Sequence, residues 1–442
     1  MYGLSLKSVK RNIILSLTRM YASSSIKRLE FRPGVDAVPV SGKVLDSEDY
    51  VNLIDACLDG WLTNGRFTEK FEKDLAKYVG TRYALFCNSG SSANLLALSA
   101  LTSPKLGNQS LKPGDEVITV ASGFPTTINP IIQNGLKPVL VDIDRKTLNA
   151  NVTQISEAIT PKTKAIILAH TLGNPFDISS ILEICKENNL YLIEDSCDAL
   201  GSTYKSNMVG TFGTLATLSF YPAHHITTGE GGAVLVNSPL IKRQVESFRD
   251  WGRDCYCPSG KDNTCFKRFE WQLGGLPLGY DHKYIYSHVG YNLKATDIQA
   301  ALGSSQLAKV DEFIEKRREN FSFLRNQLGL IKELEFCEPT PGSNPSWFGF
   351  PITLKEGCNI NRDTVLKFLE SRNIGTRLLF AGNITKQPAY KSVAFRKIGD
   401  LGNSNYVMER TFWIGVHPGL SPEMMKYISD SLLSFFLSSS KG

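Results

Sequence analysis

Several things are missing from this chain, and each absence removes a class of protein. No stretch approaches the roughly 20 consecutive apolar residues of a membrane-spanning helix, so a membrane-embedded role is not expected. No basic stripe is interleaved with aromatic residues, which leaves nucleic-acid binding without support. The formal net charge of +6 does not alter that. Lys7, Lys10, Arg11, Arg19, Lys27 and Arg28, all within an acid-free head of 28 residues, account for it, and the remaining chain is balanced. Internal repeats and low-complexity segments are also lacking, which excludes solenoids and long disordered linkers.

The apolar part of that head is too short and interrupted for a secretory signal. The nine cysteines are therefore not expected to staple an extracellular scaffold, and metal or redox use is the better reading for any that cluster. The head has the composition of a mitochondrial transit peptide and equally that of an amphipathic helix with a solvated basic face. The expected compartment is the cytoplasm, with the mitochondrion as the alternative.

At 442 residues the chain exceeds the size at which one core keeps growing, so two domains are expected. The divisions read from the sequence are a basic segment over 1–30, a large domain over 31–300 carrying a cysteine-bearing insertion at 250–285, and a smaller α+β domain over 301–442. Within the large domain, short apolar runs alternate with helical stretches. Glu116–Val120, Pro138–Asp142, Ala165–Ala169, Tyr191–Asp195, Thr217–Phe220 and Ala233–Val236 read as strands buried on both faces. Asp177 opens a helix over 178–189. The pattern predicts an α/β fold with a mostly parallel sheet covered by helices. Residues 300–330 read as one long charged amphipathic helix, followed by a strand over 348–354 and helices over 363–372 and 421–437.

Four motifs carry chemistry. Asn88-Ser89-Gly90-Ser91-Ser92-Ala93-Asn94 ends a strand-like run and opens a helix, where small residues let backbone N–H groups face an anion; Ser and Gly there also make ordinary N-caps. Asp195 ends another strand, the edge at which open α/β sheets bind ligands; a capping aspartate is the plainer alternative. Phe124 offers a stacking platform or a core residue. Cys197, Cys255, Cys257 and Cys265 follow a Cys-x57-Cys-x-Cys-x7-Cys spacing. Four thiolates suit an iron–sulfur cluster or zinc, and the spacing alone leaves both open, beside four unrelated cysteines. Cys57, Cys87, Cys185, Cys337 and Cys358 read as small core or near-surface residues.

The stretch Ser219-Phe220-Tyr221-Pro222-Ala223-His224-His225-Ile226-Thr227-Thr228-Gly229-Glu230-Gly231-Gly232 resembles the fold-type I, vitamin B6-dependent sugar aminotransferase family. Within that family it is most similar to the lysine-lacking iron–sulfur 3-dehydrases, and the resemblance runs from about Pro39 to the C-terminal helix. Supporting stretches include His170-Thr171-Leu172-Gly173-Asn174, Asp281-His282-Lys283-Tyr284 and Gly290-Tyr291-Asn292-Leu293-Lys294. Family members carry their Schiff-base lysine five residues after the serine; here that position is His224.

The resemblance implies a fold-type I transferase fold with pyridoxamine 5′-phosphate (PMP) held without a covalent tether and a [2Fe–2S] cluster on the four cysteines. It implies Asp195 as the pyridine-nitrogen partner, Phe124 as the stacking residue, and Gly90, Ser91 and Ser219 as the phosphate cup. Asn292 would reach the phosphate of a neighbouring subunit, which implies a homodimer, and His224 would be the catalytic base. The implied reaction is C3 deoxygenation of a nucleotide-linked 4-keto-6-deoxyhexose, CDP-4-dehydro-6-deoxy-D-glucose foremost, in 3,6-dideoxysugar biosynthesis. A separate NAD(P)H-dependent flavin/iron–sulfur reductase would supply electrons. Two rivals stay open: a clusterless PMP-dependent dehydratase and a sugar-nucleotide-binding pseudoenzyme. His225 and Arg377 receive no role.

Overall fold

The computed structural model describes residues 6–26 and 30–439. Lys27 and Arg28 of the basic head lie outside the described residues. The apolar runs form one eight-stranded sheet. Its strands are β1 (Tyr83–Cys87), β2 (Glu116–Val120), β3 (Lys137–Val141), β4 (Thr163–Ala169), β5 (Tyr191–Asp195), β6 (Leu215–Ser219) and β7 (Gly232–Val236), with the short segment Arg396–Lys397 at one edge. Their spatial order is β1-β7-β6-β5-β4-β2-β3 and then 396–397. β7 runs antiparallel to both its neighbours and all other pairings are parallel.

Residues of β2 and β7 are buried throughout, as strands covered on both faces must be. The six runs read as strands from the sequence are all strands. The helix after Asp177 spans Ile178–Asn188, and the Asp177 side chain caps it by accepting from the Ser180 N–H.

A second sheet of four strands, ordered Leu334–Phe336, Gly349–Leu354, Thr411–Gly415 and Thr376–Leu378, is packed by the helices Arg362–Ser371 and Pro422–Ser439. The two sheets share a core in which Ile118, Val139 and Ile166 join Phe350, Ile352, Phe412 and Leu432. The chain also crosses between them twice. Arg396–Lys397 extends the large sheet beside β3, while Val38 bridges to Ile374 of the smaller unit.

The long helix expected over 300–330 is two helices, Asp297–Leu307 and Val310–Leu328. The break is at Lys309, whose φ of −112° and ψ of 1° leave the helical region. There its ammonium reaches Asp46 and the fully buried Asp49, both at 2.8 Å, an anchorage that charge periodicity cannot reveal. The basic head forms a helix, Leu6–Ser25, laid against Ser47–Asp59. Arg11 bonds Asp55 at 2.6 Å and Asp59 at 2.8 Å, and Arg19 bonds Glu48 at 2.6 Å.

Candidate active site

The carboxyl ends of β1, β5 and β6 lie side by side because β7 alone, between β1 and β6, runs the other way. Their last residues and first loop residues therefore converge at one edge, where open α/β sheets bind ligands. Beyond β1, Ser89 caps the helix Gly90–Leu101, its hydroxyl accepting from the Ser92 N–H at 3.0 Å. Gly90 is packed so tightly against the end of β6 that an added Cβ would strike Ser219 Cβ. That Cβ would also sit 2.9 Å from Ser219 Oγ and 3.1 Å from Cys197 Sγ. Ser91 is exposed beside it and donates to Thr126 Oγ1 at 3.1 Å. Gly90, Ser91 and Ser219 thus meet at a helix N-terminus, a ready site for a phosphate.

At the end of β5, Asp195 is 5% exposed. One carboxylate oxygen accepts from Asn94 Nδ2 at 2.8 Å and Thr127 Oγ1 at 2.7 Å, and the other from the Cys197 N–H at 3.2 Å. Thr217 Oγ1 in turn donates to Asn94 Oδ1 at 2.6 Å and fixes which way that amide faces. A buried anion held only by neutral donors suits pairing with a cationic ring N–H. Phe124, a core candidate when read alone, is instead 49% exposed at the start of the helix Pro125–Gln133, with its ring edge-on to Phe380. These features fit a phosphopyridine: a cradle that a Cβ would fill, a buried carboxylate, and an exposed aromatic face.

His224 lies on the β6–β7 loop, whose neck is closed by hydrogen bonds from Phe220 N to Gly231 O at 2.8 Å and Thr228 N to Phe220 O at 3.0 Å. Its Nδ1 is 3.4 Å from Asp198 Oδ1, within ion-pair range but without hydrogen-bond alignment. Burial, followed by the nearby Arg317 guanidinium, lowers the His224 pKa to about 4. Burial, followed by the charge of Asp195, raises Asp198 to about 8. At neutral pH the arrangement is a neutral imidazole beside a protonated carboxyl group.

Arg317 is fully buried and donates to the carbonyls of His224 at 3.1 Å, Trp347 at 3.2 Å and Phe348 at 3.2 Å. It ties the histidine loop to the smaller sheet. His225, also buried, contacts the Ser346 carbonyl through Nε2 at 2.9 Å and so anchors the same loop. Asp198, Arg317, Asn94 and Thr127 were not singled out by the sequence reading. Arg317 sits in a helix whose charge density looks like a solvent face.

Two of the four cysteines, Cys255 and Cys257, gather in the insertion with His282. The ligand atoms of Cys255, Cys257 and His282 lie within 4.8 Å of one another, and Cys265 Sγ is 3.1 Å from His282 Nε2. Cys197 is instead in the cofactor cradle beside Gly90 and Ser219. Spacing along a chain shows which thiols are available but not which neighbours a loop supplies. Asn292 is exposed next to this insertion and joined to Asp250 through a backbone bridge. A cleft of about 1020 Å³, separate from the cofactor cradle, is lined by Trp61, Arg66, Arg243, Cys255, Cys257 and Trp271 among others.

Residues 44–433 match the model of the DegT/DnrJ/EryC1/StrS aminotransferase family. The chain belongs to this family. Among its members, the lipopolysaccharide biosynthesis protein RfbH of Salmonella typhimurium is 56% identical over 427 residues, covering 96% of this chain and 98% of that one. The dTDP-4-dehydro-2,6-dideoxy-D-glucose 3-dehydratase of Saccharopolyspora spinosa is 55% identical over 410 residues, 93% of this chain and 89% of that one. The solved structure of E. coli GDP-4-keto-6-deoxy-D-mannose-3-dehydratase with bound hydrated PLP superposes with a TM-score of 0.81 at 28% identity, covering 90% of this chain and 99% of that one. The fold is the family's fold-type I transferase fold.

Proposed function

We propose that this protein removes the C3 hydroxyl of a nucleotide-linked 4-keto-6-deoxyhexose, using PMP and electrons relayed by a [2Fe–2S] cluster. The observation that carries the reading is His224, a half-buried neutral imidazole beside Asp198 where the family's aminotransferases carry a lysine. The relatives named as 3-dehydratases support the reaction class, and their names specify dTDP- and GDP-linked sugars. CDP-4-dehydro-6-deoxy-D-glucose is the substrate that the sequence resemblance favours, in a 3,6-dideoxysugar route.

When bound, PMP supplies a primary amine that condenses with the C4 ketone and a ring that draws electron density from its C4′ carbon. Asp195 pairs with the ring N–H and keeps the ring electron-poor. Gly90 and Ser91, at the helix N-terminus, bind the phosphate with Ser219, and Phe124 backs the ring face. His224 accepts a proton at Nε2, the ring nitrogen turned away from Asp198; its neutral state leaves that lone pair free for general-base work. Arg317 and His225 hold the loop that carries it.

Cys255, Cys257 and Cys265 would help hold the cluster, which would supply one-electron transfer from a separate NAD(P)H-dependent flavin/iron–sulfur reductase. A homodimer completes the site. The insertion and the segment just after it expose Phe266 by 83%, Leu278 by 87% and Val289 by 95%, apolar surface that a second copy would cover, and Asn292 nearby would reach that copy's phosphate. Anaerobic purification with absorption and EPR spectroscopy before and after dithionite tests the redox part. A reduced-cluster signal is expected; a colourless, EPR-silent protein after iron–sulfide reconstitution would favour the clusterless dehydratase.

A further inference from the structure

An aromatic residue beside Phe124 has a backbone that ordinary packing does not call for. Phe380, in the loop that follows the strand Thr376–Leu378, has a φ of +45°. Bulky side chains rarely adopt that left-handed conformation, and where one does its surroundings must hold it there. We propose that Phe380 determines substrate specificity, its ring forming the apolar wall on which the C6 methyl end of the hexose rests. The inference rests on the reaction reading above and names the residue that tells a 6-deoxy sugar from its 6-hydroxy counterpart.

The loop is fixed on both sides of the strained residue. Before it, the Leu378 carbonyl accepts from Trp413 Nε1 at 3.1 Å. After it, the Gly382 N–H donates to the Leu379 carbonyl at 3.0 Å, and a Cβ added at Gly382 would lie 2.5 Å from Met408 Cγ. The same loop is tied to the segment that carries Phe124. The Ala381 N–H donates to the Gly123 carbonyl at 3.4 Å and the Ile384 N–H to the Ala121 carbonyl at 2.9 Å, while the Gln387 side-chain amide donates to the Ala381 carbonyl at 2.9 Å. The Phe380 ring thereby meets the Phe124 ring edge-on, with centroids 6.1 Å apart and planes at 85°.

Core packing does not account for this arrangement. Leu379, the neighbour, is the buried residue of the loop, whereas Phe380 is only half-buried and Phe124 is exposed. Two rings from different units are thus presented together. Phe124 backs the cofactor in the reading above, which leaves Phe380 for the group joined to it. The hexose is joined through C4, and its methyl is carried on C5, the next carbon, so the methyl must lie close to the walls around the cofactor. An aromatic ring suits a methyl there. A hydroxymethyl group in its place would give up water without gaining a hydrogen-bond partner from the ring.

The test is calorimetric titration of the full-length, PMP-loaded protein with glucose and 6-deoxyglucose linked to CDP, dTDP or GDP; these sugars lack the C4 ketone and bind without reacting. Wild type is expected to bind the 6-deoxy member of a pair about tenfold or more tightly. Phe380→Gly accepts the positive φ without strain; it should bind both members alike while its PMP affinity stays at the wild-type value. Phe380→Leu, which keeps an apolar side chain, should restore part of the preference. A wild type without preference, or a preference that Phe380→Gly retains, overturns the assignment of Phe380 and leaves the reaction reading standing. Loss of PMP affinity in Phe380→Gly overturns it as well, since the ring would then be a wall of the cofactor cradle. Wild-type protein that binds no pair overturns the reaction reading together with this one.

Discussion

His224 and Asp198 titrate in opposite senses because burial penalises whichever form carries charge. Unfolded Asp198 releases its proton near 3.8, whereas the folded protein keeps it until about 8. The folded state therefore binds more protons in that interval, and stability falls as pH rises through it. Replacement of Asp198 by Asn removes this titration. In urea denaturation of the cofactor-free protein, the variant's advantage should grow from about pH 3.8 to about pH 8; a pH-independent difference would contradict the assignment.

His224 works the other way. Unfolded, it protonates near 6.5, and folded only near 4, so its contribution is present above 6.5 and is lost as pH falls toward 4. His224→Asn should stop hydrogen exchange at the cofactor's C4′, a loss of about 10²–10⁴-fold for a general base, measured by deuterium incorporation. Exchange that persists would assign the base elsewhere. His224→Lys should form a borohydride-reducible covalent adduct with the aldehyde form of the cofactor, PLP, and drift toward transamination.

The junction of the helix Gly90–Leu101 with the end of β6 leaves no room for a side chain at Gly90. Gly90→Ala forces a Cβ onto Ser219, and overpacking of this kind typically costs about 1–3 kcal/mol. PMP affinity is expected to fall about tenfold or more by fluorescence titration, while far-UV circular dichroism stays unchanged. Elements of this kind were legible in the sequence. Strands buried on both faces appear as unbroken apolar runs, and the three strand ends that carry Gly90, Asp195 and Ser219 could be read from local composition.

Features set by tertiary packing were not legible. The turn at Lys309 is fixed by Asp46 and Asp49, far away in sequence, and the helical charge pattern runs straight through it. Arg317 is one cation among many on a charged helix, and only the fold turns it inward to the carbonyls of the histidine loop. His282 sits in an insertion without periodicity, so neither its burial nor its approach to Cys265 could be anticipated.

At the scale of the whole molecule, the proposed homodimer would cover the exposed apolar residues Phe266, Leu278 and Val289. Light scattering is expected to give twice the 48.9 kDa chain mass, and a monomer would leave Phe266, Leu278 and Val289 unexplained. The basic helix Leu6–Ser25 is docked through a partly buried Arg11 ion pair, worth about 0.2–1 kcal/mol, and through an exposed Arg19 ion pair. Its deletion should lower the melting temperature by only a few degrees and leave PMP binding intact; loss of folding would show the helix to be integral.

Electron-fed deoxygenation is tested most directly by turnover. The PMP- and iron-reconstituted protein would be incubated anaerobically with CDP-, dTDP- and GDP-linked 4-keto-6-deoxyhexoses, with and without an NADH-driven reductase, and the products analysed by mass spectrometry. The prediction is a product lacking one oxygen, formed with the CDP-linked sugar and only when the electron donor is present. An amino sugar, or oxygen loss at the same rate without the donor, would contradict it.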